Sequence, residues 1–139
     1  MVNSEEHMAK SEWEETGKKI RSFTDLIVWK KGHVLVLSVY EATKDFPKAE
    51  MFGLTSQLRR SAVSITSNIS EGFGRKSIKE KMQFYVIAKG SLYELQNQIL
   101  IARDLGLMDR KVFDTIAEKT VETSKLLTAL IRSTERMKR

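Results

Sequence analysis

The residues of this chain best placed to do chemistry are cations. Lys125, Arg132 and Arg136 recur at intervals of seven and four. On a helix that spacing aligns them along one outer face, and Arg139 continues the line. Lys138 is close in sequence but falls on another face. A second group, Arg75, Lys76, Lys79 and Lys81, crowds the junction between two helix-like segments. Cations set out this way hold phosphate oxygens and orient a polyanion without reading its bases. The first group also has a plainer use, because cations in the last turns of a helix are favoured by its dipole.

The charge balance points the same way. The chain of 139 residues carries a formal +6, with −2 over residues 1–19 and +8 over the rest. A basic surface favours RNA or DNA as partner, and keeping the protein soluble is the alternative use of the same charge.

Other chemistries lack their residues. There is no cysteine, which removes disulfides and thiolate metal sites. The two histidines are His7, in a polar leader, and His33, which falls on the apolar seam of the first helix and reads as a core residue. No Glu-x-x-His pair exists for a di-iron bundle site. "EGFGRKS" has neither the glycine spacing nor the preceding strand of a phosphate loop. "NIS" at Asn68 matches a glycosylation sequon, without meaning on a buried helix. Lys89 and Ser91 are two apart and face different ways. The expectation is no enzyme, no metal and no cofactor.

The elements that must position these residues are helices. Residues 1–21 are polar, rich in Glu and Lys and broken by Gly17, with Trp13 their one anchor; they read as a mobile or weakly helical leader. Residues 22–139 hold four helix-length segments. The first spans about Asp25 to Asp45 behind Thr24 as N-cap, with Leu26, Trp29, His33, Val36, Tyr40 and Thr43 as its seam. Pro47 closes it. The second starts after Thr55 and stops at Gly72, a residue suited to a left-handed C′ position. Ser77 with Glu80 makes a capping box for the third, which Gly106 ends. Asp109 caps the fourth. Short connections favour antiparallel neighbours, so the parsimonious fold is an all-α, up-down antiparallel four-helix bundle.

Two of these helices have more faces to hide than a solvated bundle needs. "SAVSITSNIS" puts five hydroxyl residues and one asparagine among four aliphatic ones, poor helix-forming material. Leu58, Ala62, Ile65 and Ile69 make one seam, and Ser61, Ser64, Asn68 and Glu71 a second beside it. Small hydroxyl residues let backbones approach closely and satisfy one another. Glu71 sits where the helix dipole disfavours an anion. That calls for an ion-pair partner, Arg60 or Arg75, ahead of a role as general base. In the third helix Phe84, Ala88, Ser91, Leu95, Ile99 and Ala102 line one face, while Met82, Val86, Tyr93 and Leu100 line the opposite one. A helix apolar on both sides implies self-association.

"LIVWKKG", "FPKAEMFGLTSQLRRSAVSITSNISEGFGRKS" and "FYVIAKGSLYELQNQILIARDLG" resemble the four-helix-bundle family encoded by intervening sequences of bacterial 23S rRNA genes. The resemblance spans roughly residues 23–130. Its middle block is carried by Pro47, Gly53, Gln57, Leu58, Arg60, Ser64, Asn68, Glu71 and Gly72, and its later block by Gly90, Ser91, Glu94 and Leu95. Among these, Arg60, Ser64, Asn68, Glu71, Gly72, Gly90, Ser91 and Glu94 are expected to serve packing rather than catalysis. The resemblance implies a left-handed bundle that assembles into a ring-like homopentamer. It also implies kinship with the accessory proteins of diversity-generating retroelements, basic pentamers that bind nucleic acid and a reverse transcriptase. Two functions follow as expectations: a nucleic-acid-binding homopentamer, or a protein-interaction scaffold or reverse-transcriptase accessory protein. The unbroken aliphatic runs are far too short to span a membrane, and Met1–Ile20 has no signal-peptide core, so the expected location is cytoplasmic.

Overall fold

A computed structural model describes residues 19–137. Four helices, α1 (Ile27–Thr43), α2 (Leu54–Phe73), α3 (Ile78–Asp104) and α4 (Arg110–Glu135), account for nearly all of it. Single 3-10 turns at Phe23–Asp25 and Lys48–Glu50 precede α1 and α2. No β-strand occurs among the described residues. Each helix touches two neighbours, in the cyclic order α1, α2, α3, α4, and neither diagonal pair meets. The expected all-α, four-helix fold is therefore present.

The helix starts show which local signals were strong. Ser77 Oγ accepts the Glu80 amide at 3.1 Å and also donates to the Glu80 carboxylate at 3.1 Å, so half of the anticipated box forms. Asp109 Oδ1 accepts the Val112 amide at 2.8 Å and starts α4. Gly106 takes φ 75° just past α3, and the Leu107 amide reaches back to the Ala102 carbonyl at 2.9 Å, the left-handed glycine stop that suits this residue.

Three boundary expectations are corrected. Thr24 caps nothing in α1; it lies inside the first 3-10 turn, which Ser22 caps, and α1 begins behind Leu26 without a side-chain cap. α2 begins at Leu54 and runs through Gly72 to Phe73. Gly72 is thus helical rather than left-handed, and the reason lies across the bundle. A Cβ on Gly72 would stand 2.6 Å from Tyr85 Cε1 and 2.8 Å from Cδ1, so the glycine is demanded by a ring and not by a turn.

The α1 seam also differs from expectation. Its buried stripe is Val28, Gly32, Leu35, Val39 and Thr43. His33 and Tyr40 are exposed, and Trp29 and Val36 are half-buried. The stripe turns inward at Gly32 because α2 and α4 crowd it there, with Thr66 Cγ2 3.0 Å from a Cβ that Gly32 lacks. His33 is consequently a surface residue stacked on Trp29, with ring centroids 4.8 Å apart.

The core itself follows the aliphatic periodicity. Leu58, Ala62, Ile65 and Ile69 from α2 and Leu92, Leu95 and Ile99 from α3 are buried together. Leu35 and Val39 from α1 and Ile116 and Leu127 from α4 complete the cluster. Burying such side chains contributes about 1.5–3 kcal/mol each.

Candidate nucleic-acid interface

The second, hydroxyl-rich seam of α2 faces α3. Ser61 Oγ donates to the Gln98 side-chain carbonyl at 2.7 Å, a bond buried on both sides. Ser64 and Ser91 hydroxyls share a bond of 2.8 Å. Asn68 Nδ2 donates to the Ser64 carbonyl at 2.8 Å and to its hydroxyl at 3.1 Å. As α2 ascends from 61 to 64, its partners on α3 descend from 98 to 91. Short polar side chains keep the two backbones close while leaving these donors and acceptors paired. Gln98 escaped the sequence reading, although its seven-residue spacing from Ser91 would have placed it on that seam.

Glu71 ends this line at the surface, paired with Arg75 Nη2 at 3.0 Å. Both side chains are exposed, so the pair contributes little stability. Arg60, the other partner considered, is exposed and forms no ion pair within the described residues. Glu94 is exposed too. Gly90 lies at the surface, and a Cβ there would meet no atom of the described residues within 4 Å.

The basic residues divide by what already occupies them. Arg75 stacks on Phe84 at 4.7 Å as well as pairing with Glu71. Lys81 Nζ donates to the Phe73 carbonyl at 2.7 Å, capping the end of α2. Lys76 and Lys79 are exposed beside them. On α4, Lys125, Arg132 and Arg136 are exposed, as their spacing anticipates. Arg139 and Lys138, like His7, Trp13 and most of the polar leader, lie outside the described residues.

The helix register brings Arg132 and Arg136 to the same end of the bundle as Lys76, Lys79 and Lys81, with Lys125 nearer its middle. Lys89 donates to Thr128, Gln96 to Thr120 at 3.2 Å, and Arg103 stacks on Phe113 at 4.7 Å. The residue number on α4 thus falls as that on α3 rises. The last turns of α4, with Arg132 and Arg136, therefore stand level with the first turns of α3, with Lys79 and Lys81. The outer face of α4 grows more basic along its length. Asp114, Glu118 and Glu122 stand in its first half, where Arg110 pairs with Asp114 at 3.2 Å and Lys31 with Glu122 at 3.1 Å, and Lys125, Arg132 and Arg136 stand in its second without such partners among the described residues.

A family model for the 23S rRNA-intervening sequence protein matches residues 24–129. The chain belongs to that family. The matched span takes in all of α1, α2 and α3 and most of α4. A crystal structure of a protein of unknown function, from the S23 ribosomal protein family of Bacteroides thetaiotaomicron, is similar to this chain with a TM-score of 0.69. The two are 21% identical, and the alignment covers 76% of this chain and 99% of that one. At that identity the likeness speaks for the fold. No protein of curated function matches the chain.

Among the described residues there is no group of three or more His, Asp or Glu that could hold a metal ion, and no helix long and apolar enough to cross a membrane. The sequence reading missed Arg59 and Phe52. Arg59 lies over the Tyr40 ring at 4.6 Å and donates Nε to the Thr43 hydroxyl at 2.9 Å. Phe52 is 94% exposed on the turn leading into α2. Only its place in a Gly-flanked turn hinted at that exposure.

Proposed function

We propose that this family member is a non-enzymatic, cytoplasmic protein that binds RNA or DNA through phosphate contacts. The binding form is an up-down antiparallel, left-handed bundle closed into a ring-like homopentamer. The observation that supports this reading is the gathering of residues from both basic groups at one end of the bundle. Lys76, Lys79, Arg132 and Arg136 are exposed there, Lys125 is exposed nearer the middle of α4, and no ion pair within the described residues engages any of them. A polyanion neutralises such a surface and releases its own counterions. Five copies raise the formal +6 of one chain to +30, a field that concentrates a polyanion far more strongly than a single copy does.

Arg75 and Lys81 take a smaller part in this reading than their spacing suggested. One is neutralised by Glu71 and the other is committed to backbone carbonyls. The apolar outer residues of α3, Val86, Tyr93 and Leu100, support self-association, since all three are exposed in the single chain while Met82 is half-buried.

The test is a salt titration of binding to duplex and single-stranded RNA and DNA. For duplex DNA, log K falls against log salt with a slope of about −0.9 for each phosphate neutralised. Reversing Lys125, Arg132 and Arg136 to Glu lowers affinity and flattens that slope while the assembly persists. Binding indifferent to salt overturns the phosphate mechanism. Loss of polynucleotide binding at physiological salt, with a protein partner retained in high salt, favours a scaffold or reverse-transcriptase accessory role instead.

A further inference from the structure

The self-association proposed above leaves open which surfaces meet, and the two helices of the hydroxyl seam carry a matching pair. On α3 the outward ridge is Val86, Gly90, Tyr93 and Leu100, one helical face by spacing. Val86 is 56% exposed and Tyr93 57%. Gly90 lies between them, deep inside a helix of 27 residues. Glycine weakens a helix interior relative to alanine. Elsewhere the chain has a steric use for helical glycine, at Gly72 and Gly32, whereas the space beyond Gly90 is open. That space suits a backbone arriving from outside.

α2 offers the counterpart. Arg60, Val63 and Ser67 are exposed along its outer face, and the 94% exposed Phe52 stands at its foot with Met51, itself 53% exposed. The internal contacts Ser61 to Gln98, Ser64 to Ser91 and Gly72 to Tyr85 set the level of each α2 residue against α3. A copy rotated about an axis along the bundle keeps those levels. Its Ser67 then arrives at Gly90 and its Val63 beside Tyr93. Its Arg60 comes within reach of Glu94, and its Phe52 nears Leu105 at the end of α3. A small side chain meets the glycine, apolar meets apolar, and the cation meets an anion that has no ion pair among the described residues of its own chain.

We propose that the α2 ridge of one copy, Phe52, Arg60, Val63 and Ser67, docks on the α3 ridge of a second copy, Val86, Gly90, Tyr93 and Leu100, with Arg60 facing Glu94. Two different surfaces then meet head to tail, the arrangement that closes into a ring. α2 and α3 are adjacent corners of the bundle, so their outward ridges stand roughly a quarter turn apart, near the interior angle of a ring of about four or five copies.

A mixing experiment tests the pairing. One variant, F52D with V63D, breaks the α2 ridge; another, Tyr93→Asp, breaks the α3 ridge. All three sites are exposed, and circular dichroism checks that both variants fold. In light scattering each alone is a monomer at a concentration where the unaltered chain assembles. Mixed, they form a one-to-one dimer, because each retains the ridge that the other lacks. Arg60→Glu and Glu94→Arg each weaken assembly about tenfold, and together they restore it. Gly90→Leu raises or preserves helicity yet dissociates the assembly. If the unaltered chain assembles but F52D with V63D assembles as well, the pairing is wrong while self-association stands. If the two broken variants stay monomeric when mixed, the pairing is equally wrong, since the intact α2 ridge of one then fails to dock on the intact α3 ridge of the other; a variant that dimerises alone would mean that identical ridges meet. An unaltered chain that is monomeric at micromolar concentration removes both. Variants at Phe52 and Val63 that lose RNA affinity while keeping the assembly would assign the α2 ridge to polynucleotide.

Discussion

α3 has two long sides, and the chain treats them oppositely. Its inner side meets α2 across Ser91, Gln98 and the Tyr85 ring, where hydroxyls pair and a glycine makes room. Its outer side carries the exposed apolar side chains Val86, Tyr93 and Leu100, and a glycine whose added Cβ would meet nothing within 4 Å among the described residues. Gly72 and Gly90 are the same residue in similar helical backbone, yet one is crowded to 2.6 Å and the other is free to 4 Å. Composition alone does not say whether a small residue is there for a neighbour in the same chain or for one outside it.

The largest contrast should appear in paired leucines. Leu95 is fully buried on the inner side, and Leu100 is 41% exposed on the outer. Leu95→Ala opens a cavity and costs about 3 kcal/mol. Leu100→Ala changes the stability of the single chain by less than about 0.5 kcal/mol. Urea unfolding of an assembly-deficient background such as Y93D separates the two cleanly. Equal losses would mean that the outer side is packed within one chain after all.

The glycines come next. Gly72→Ala forces the Tyr85 ring aside and costs about 2 kcal/mol, the range for overpacking a close-packed site. Gly90→Ala meets nothing, so in the same monomeric background it stabilises by up to about 1 kcal/mol through helix propensity. Opposite signs from one substitution would sharpen the comparison; two losses would break it.

A smaller effect tests the polar seam. Ser61→Ala leaves the Gln98 side-chain carbonyl buried without its donor, at about 1–2 kcal/mol. Adding Gln98→Leu removes the stranded acceptor, so the double variant recovers part of that loss, a coupling that a thermodynamic cycle measures. Strict additivity of the two would show that the bond matters little.

What could be read in the residues beforehand follows from how far each signal reaches. Ser77 and Asp109 act on amides three residues away, so their caps were visible in a short window. The Leu58–Ala62–Ile65–Ile69 stripe was visible because each member is aliphatic and regularly spaced. α1 misled because its buried line passes through Gly32, which offers no side chain to count, and because Val34 to Leu37 fits more than one face. Lys81 read as a phosphate ligand since its use as a cap depends on where Phe73 comes to rest in space. Gly72 read as a turn residue for the same reason: the Tyr85 ring that requires it belongs to the next helix.

Proton equilibria give the finest test of the inner side against the edge of the fold. Burial pushes the Tyr85 hydroxyl well above its ordinary value of 10.0. A group whose folded value is raised contributes its full stability below the unfolded value and loses it as pH climbs above that point. Alkaline loss of stability should therefore set in near pH 10 at the Gly72–Tyr85 contact, and Y85F should remove that part of it.

Asp25 works in the opposite sense. The Arg21 amide donates to its carboxylate at 2.9 Å, and that bond is the main cause holding its pKa below 3.8. Its contribution is present above the unfolded value and disappears as pH falls through the lower folded one. The unaltered chain should thus exceed D25N in melting temperature at neutral pH by a small margin, and the margin should close in acid. A margin that grew as pH fell would mean that the Ser22–Asp25 turn is held by something other than its carboxylate. The start of α1 would then owe its position to the inward packing of Leu26 and Val28, the same physics that governs the closed side of α3.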